Sequence, residues 1–87
     1  MDDHALHIRL VAGDLDALAE LYDLHSPFVY GVALRVTGSE GLAETITQEL
    51  FAHLWEQPGQ FDPALGSLRG WLVSRSLHDA ATRIEVG

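Results

Sequence analysis

Residues 40–57, EGLAETITQELFAHLWEQ, decide the fold class. At about 100° per residue, Ala43, Ile46, Leu50, Phe51, Leu54 and Trp55 fall on one side of a helix. Thr45, Gln48, Glu49, Ala52 and Glu56 fall opposite. Thr37-Gly38-Ser39 supplies a stop for the preceding helix and an N-cap for this one. Pro58-Gly59 ends it. A helix with one apolar and one acidic face must bury the first against other elements, and the flanking sequence offers only helices for that.

Upstream, Leu15 to about Val36 carries Leu18, Leu21, Tyr22, Leu24, Phe28, Val29, Val32, Ala33 and Val36 at helical spacing. Ser26-Pro27 interrupts this run, as an N-cap and first helical position or as a kink in one long helix; we read a kink. A shorter helix, about Asp3 to Ala12, precedes it with Leu6, Leu10 and Val11 apolar. Gly13 suits its stop, and Asp14 suits the next N-cap. Downstream, PGQFDPALG at 58–66 reads as a loop and Ser67 as a cap. The last helix runs from Leu68 to about Ile84, with Val73, Leu77, Ala80, Ala81 and Ile84 as its expected core stripe. No alternating strand pattern occurs. The expectation is an all-α fold, a compact bundle of three to four helices with short antiparallel connections.

The 87 residues suffice for one domain, 1–87, with 47% apolar residues for its core. The absence of cysteine excludes disulfides and thiolate metal sites. The most apolar run, Phe28 to Leu34, is far short of the roughly 20 residues a bilayer span needs. Met1-Asp2-Asp3-His4 lacks the basic start of a signal peptide, so a soluble, cytoplasmic, monomeric protein is expected. Thirteen acids oppose five arginines, there is no lysine, and the net charge is -8. Such a chain repels a polyanion on average, and its acidic surface serves either solubility or a basic protein partner.

Three segments together resemble region 2 of bacterial sigma factors of the extracytoplasmic-function group. They are DALAELYDLHSPFVYGVALRVTG at 16–38, AETITQELFAHLW at 43–55 and FDPALGSLRGWL at 61–72. The resemblance spans nearly the whole chain in order. It implies a sigma region 2-like helical domain that initiates transcription without making or breaking a bond, hence no enzyme and no cofactor. It implies that the third helix docks on the arginine-rich clamp helices of the largest subunit of core RNA polymerase. It further implies that the loop and last helix capture the minus-ten promoter element, with a flipped base entering a pocket formed by the loop. No second helix-turn-helix half, which in the family reads the minus-thirty-five element, is expected within these residues.

Carried onto this sequence, the polymerase-binding residues are Glu44, Thr45, Gln48, Glu49, Ala52 and Glu56, on a stripe without arginine or lysine. The DNA-binding residues are Phe61, Asp62, Arg69, Arg75, His78 and Arg83. Phe61 serves either to stack on a base or to plug the bundle end. Two departures stand out. Ala64-Leu65 replace a basic residue usual in the family, and the last helix is less basic than the family's. Arg75, Asp79 and Arg83 follow one another at i, i+4 and i+8, which predicts an intrahelical charge ladder, and Glu85 adds negative charge. Weak binding of promoter DNA by the isolated domain is therefore expected. An alternative is a sigma-like interaction module that has lost DNA capture and binds polymerase or an anti-sigma factor. His4 and His7 lack a third clustered ligand, so no metal site is expected.

Overall fold

A computed structural model describes residues 3–86; Met1, Asp2 and the side chain of Glu85, which enter the sequence reading above, lie outside the description. Four α-helices, α1 (Asp3–Val11), α2 (Leu15–Thr37), α3 (Glu40–Glu56) and α4 (Leu68–Val86), account for most of it. Two short 3-10 turns, Pro58–Gln60 and Pro63–Leu65, lie within the segment read as loop. There is no strand among the described residues, and the all-α bundle is as expected. Among the described residues no helix is long and apolar enough to cross a membrane.

The helix ends obey the local chemistry. Asp14 caps α2 by accepting from the Asp16 N–H. Arg9 bridges Asp14 and Glu20, both at 2.8 Å, and so ties α1 to the start of α2. This contact holds the Asp14 carboxyl below the ordinary carboxylate range, the Arg9 hydrogen bond being the main cause. α2 runs unbroken through Pro27, so Ser26 does not start a new helix. It ends at Gly38, which adopts φ 66° and donates its N–H to the Leu34 carbonyl. A side chain there would be strained, which is why glycine stops the helix. Ser39 accepts from the Leu42 N–H, and Ser67 from the Gly70 N–H at 3.0 Å.

α2 is the central helix, packed on α1, α3 and α4. The Tyr22 ring meets Phe51, while Ala33 shares a cluster with Ala43, so α2 and α3 run antiparallel. Arg69 meets His25, Ser76 meets Val29, and Ala80 lies with Ala33. Later residues of α4 thus meet later residues of α2, and these two helices run parallel. Leu6, Leu10, Leu21, Val29, Leu50, Phe51, Leu54, Leu68 and Leu72 form the main core. Trp55 and Trp71 are half-buried against it.

The α3 core face is as expected. That of α4 is so only in part: Ala80 is buried as expected, but the rest of its buried row is Leu68, Leu72 and Ser76. Leu77 and Ile84 are half exposed, and Val73 and Ala81 only partly covered. The cause is Ser76, whose hydroxyl donates to the Val29 carbonyl at 2.8 Å and so tolerates complete burial. In α2, Tyr22, Leu24 and Phe28 are similarly more exposed than their spacing predicts, and His25 is buried in their stead.

Candidate docking face and nucleic-acid interface

The outer face of α3 is built by helix geometry alone. Glu44, Thr45, Gln48, Glu49, Ala52 and Glu56 are all exposed, and the structure brings them together along one helix. Gln48 donates to Glu44 at 3.4 Å, a loose contact that leaves both available to a partner. Among the described residues the cation that pairs on this face is Arg83 of α4, with Glu49. The interhelical pair corrects the expected ladder on α4: among the described residues neither Arg75 nor Arg83 pairs with Asp79. Glu49 stands across the seam between α3 and α4, so packing of the two helices supplies Arg83 with a carboxylate that spacing along one helix cannot reveal. Glu49, Arg83, His78, Asp79 and Thr82 line a shallow groove of about 360 Å³ along that seam.

Phe61 is not a surface aromatic. It is 4% exposed, edge-on to the His7 ring at 5.0 Å and tilted to Trp71 at 6.0 Å. His7, itself buried, lies within hydrogen-bonding distance of the Pro58 carbonyl (Nε2 to O, 2.8 Å). Between them these contacts fold the 57–67 connection back on the bundle. Of the two roles open to Phe61, plugging the bundle end is the one its burial fits, and its face is not available to stack on a base. Asp62 is exposed but engaged, accepting from the Ala64 N–H at 2.9 Å and shaping the second 3-10 turn.

Above Phe61 lies an open hollow of about 340 Å³, lined by Gln60, Asp62, Leu65, Gly66, Gly70, Trp71 and Ser74 with Ser67 at its edge. Trp71 and the 87%-exposed Leu65 are its apolar walls. Neither is among the DNA-binding residues expected from the sequence. The signal for Trp71 is its position one turn after the Ser67 cap, which sets it beside the loop.

Of the basic residues, Arg75 is exposed and makes no ion pair among the described residues. His78 is exposed on the seam groove. Arg69 is exposed at the start of α4, its guanidinium 4.1 Å from the centroid of the Phe28 ring. Its Nε donates to Nδ1 of His25 at 3.2 Å. Arg69 and Arg75 thus lie on α4, Arg69 on the side of His25 and Phe28 and away from the residues that line the hollow, while Arg83 is drawn to the acidic face of α3. No cluster of three metal-ligating side chains occurs among the described residues.

Comparison with known proteins adds the family. The family model for sigma-70 region 2 matches residues 21–84. The extracytoplasmic-function RNA polymerase sigma factor SigK of Mycobacterium tuberculosis is 38% identical over 78 residues, 88% of this chain and 42% of that protein. SigK of Mycobacterium bovis matches equally, and SigK of a further Mycobacterium species is 37% identical over 71 residues, 82% of this chain and 37% of that protein. The chain spans about two fifths of the length of these curated relatives. No solved structure matches. The resemblance read from the three segments is borne out.

Proposed function

The chain belongs to the sigma-70 region 2 family, and on that premise we propose that it docks on core RNA polymerase through α3 and captures the minus-ten promoter strand through the 57–67 connection and α4. The acidic face of α3 carries this reading. It presents Glu44, Glu49 and Glu56 with Gln48 between them and has no arginine or lysine of its own. Carboxylates meeting the arginines of the clamp helices form charge-assisted hydrogen bonds and speed the encounter. Breaking the exposed Glu49–Arg83 pair to make such a contact costs little, since exposed pairs are worth about 0–1 kcal/mol.

For the promoter strand, the hollow beside Trp71 is the site for the flipped base, with Leu65 and Trp71 as stacking walls and Phe61 as its floor. Base stacking on an aromatic contributes about 1–3 kcal/mol per base. Arg69 and Arg75, both exposed on α4, serve as phosphate contacts along that helix. Asp62 acts through the turn it closes.

The docking half is tested by binding of an isolated clamp-helix fragment to the wild type and to a chain carrying Gln48→Ala and Glu49→Lys. The double variant should bind at least about tenfold more weakly, as expected for loss of a charge-assisted contact of about 1.5–3 kcal/mol. Wild-type affinity should also fall as salt rises. Equal affinity of the two chains, with helix content unchanged by circular dichroism, removes the basis for docking through this face.

A further inference from the structure

His25 is an anomaly in α2. It is a histidine only 1% exposed, at a position in the apolar row, with both ring nitrogens engaged. Nδ1 accepts from the Nε–H of Arg69 at 3.2 Å. Nε2 lies 3.0 Å from Oδ1 of Asp3. The Nε of an arginine carries its proton throughout the working range of a protein, so Nδ1 must offer a lone pair. In the neutral ring the proton is then on Nε2, which donates to Asp3. The three side chains form a directed chain, Arg69 to His25 to Asp3, that crosses from α4 through α2 to α1. Phe28, one turn after His25, lies under the same guanidinium at 4.1 Å.

We propose that His25 is a positioning residue for Arg69, holding the guanidinium, with Phe28 as its platform, in the orientation that meets a backbone phosphate of the captured strand. The inference rests on the reading of α4 as a DNA-binding helix. Its logic is that of preorganisation. A long, exposed arginine at a helix start samples many rotamers, and ordering it on binding costs affinity. Here Nε is fixed by the imidazole and one face of the fork is covered by Phe28. The two Nη groups make no hydrogen bond among the described residues and remain as donors for phosphate. His25 touches no DNA in this scheme and acts through Arg69 alone. A chain with so few cations gains most by having each one ordered in advance.

The test uses the full 87-residue chain and a fluorescein-labelled single-stranded DNA of mixed sequence, followed by anisotropy over a range of low salt concentrations. His25→Leu should weaken binding about two- to tenfold, the cost of ordering one long side chain. Its salt dependence should match the wild type, because Arg69 still reaches phosphate. Arg69→Gln should weaken binding and also flatten the salt dependence by about one phosphate contact. His25→Leu added to Arg69→Gln should produce no further loss. His25→Asn, which retains an acceptor near the place of Nδ1, should recover part of the affinity. The Nε–H resonance of Arg69 should be protected in the wild type and lose that protection in His25→Leu. Phe28→Leu, at a half-exposed position, makes the same prediction should His25→Leu fail to fold. Loss of the resonance without loss of affinity overturns the proposal, as does an equal loss in the Arg69→Gln background. Arg69→Gln with unchanged affinity, or a wild type that binds no DNA at low salt, overturns the assignment of Arg69 itself. Arg69→Gln weakened beside an unaffected His25→Leu and Phe28→Leu overturns the positioning role alone.

Discussion

Phe61→Ala should cost about 3 kcal/mol of stability. Phe61 is 4% exposed, packs edge-on against His7 and lies against Trp71. Truncating a fully buried phenylalanine costs about 3–5 kcal/mol, and the upper end applies where the surroundings cannot relax. Phe61 sits at a bundle end, between the hollow of about 340 Å³ and a second of about 500 Å³ reaching Asp3 and His4. Water reaches the space from either side, which favours the lower end. For 87 residues the whole stability is on the order of 4–13 kcal/mol, so this one change removes a quarter of it or more. The midpoint of thermal unfolding should fall by roughly 12–24 °C. Urea unfolding followed by tryptophan fluorescence and by helix signal reads the loss, since Trp71 borders the site. Leu65→Ala, at an 87%-exposed position of the same connection, should stay within about 0.5 kcal/mol of wild type. If Phe61→Ala costs less than about 1 kcal/mol and abolishes DNA binding, Phe61 is a stacking residue and the packing argument is wrong.

Two further outcomes follow from the charges. Asp14 titrates below the ordinary carboxylate range because of its hydrogen bond from Arg9, so its contribution to stability is complete above the unfolded value of about 3.9. That contribution is lost as pH falls through the lowered folded value. The stability difference between wild type and Asp14→Asn, measured by urea unfolding, should therefore be constant above about pH 5 and shrink below about pH 4; a difference that grows on acidification contradicts the Arg9 contact. Asp79→Arg removes the acid between Arg75 and Arg83 and should tighten single-stranded DNA binding, steepening its salt dependence by about one phosphate contact or slightly more. Unchanged affinity and slope would turn α4 away from nucleic acid and favour the interaction-module alternative.

The helix limits were legible because each is set within a few residues. Gly13-Asp14, Gly38-Ser39 and Ser67 act on the backbone next to them, and the structure uses all as stops and caps. The faces of α3 were legible for a related reason. Its 17 residues carry large apolar side chains on one side and acids on the other, leaving one way to bury it. Where two elements must meet, the sequence was mute. Ser76 reads as polar until Val29 offers its carbonyl. His25 reads as a stray polar residue until α4 brings Arg69 over it. Arg83 looks equally able to pair with Asp79 within the helix, and only the packing of α3 against α4 supplies Glu49. Arg69, by contrast, keeps the exposed place at the start of α4 that its position after the Ser67 cap implies.

Docking through α3 and strand capture beside α4 are two acts of one domain, and one selection reads both. A pool of randomised single-stranded DNA is passed over core RNA polymerase, in the presence and absence of this chain, and what is retained is sequenced. Core and chain together should enrich a short motif that core alone does not. The enrichment should disappear both with the Gln48→Ala, Glu49→Lys chain and with Trp71→Ala, the first by loss of docking and the second by loss of the base site. The same pool recovered with and without the chain rules out joint docking and capture.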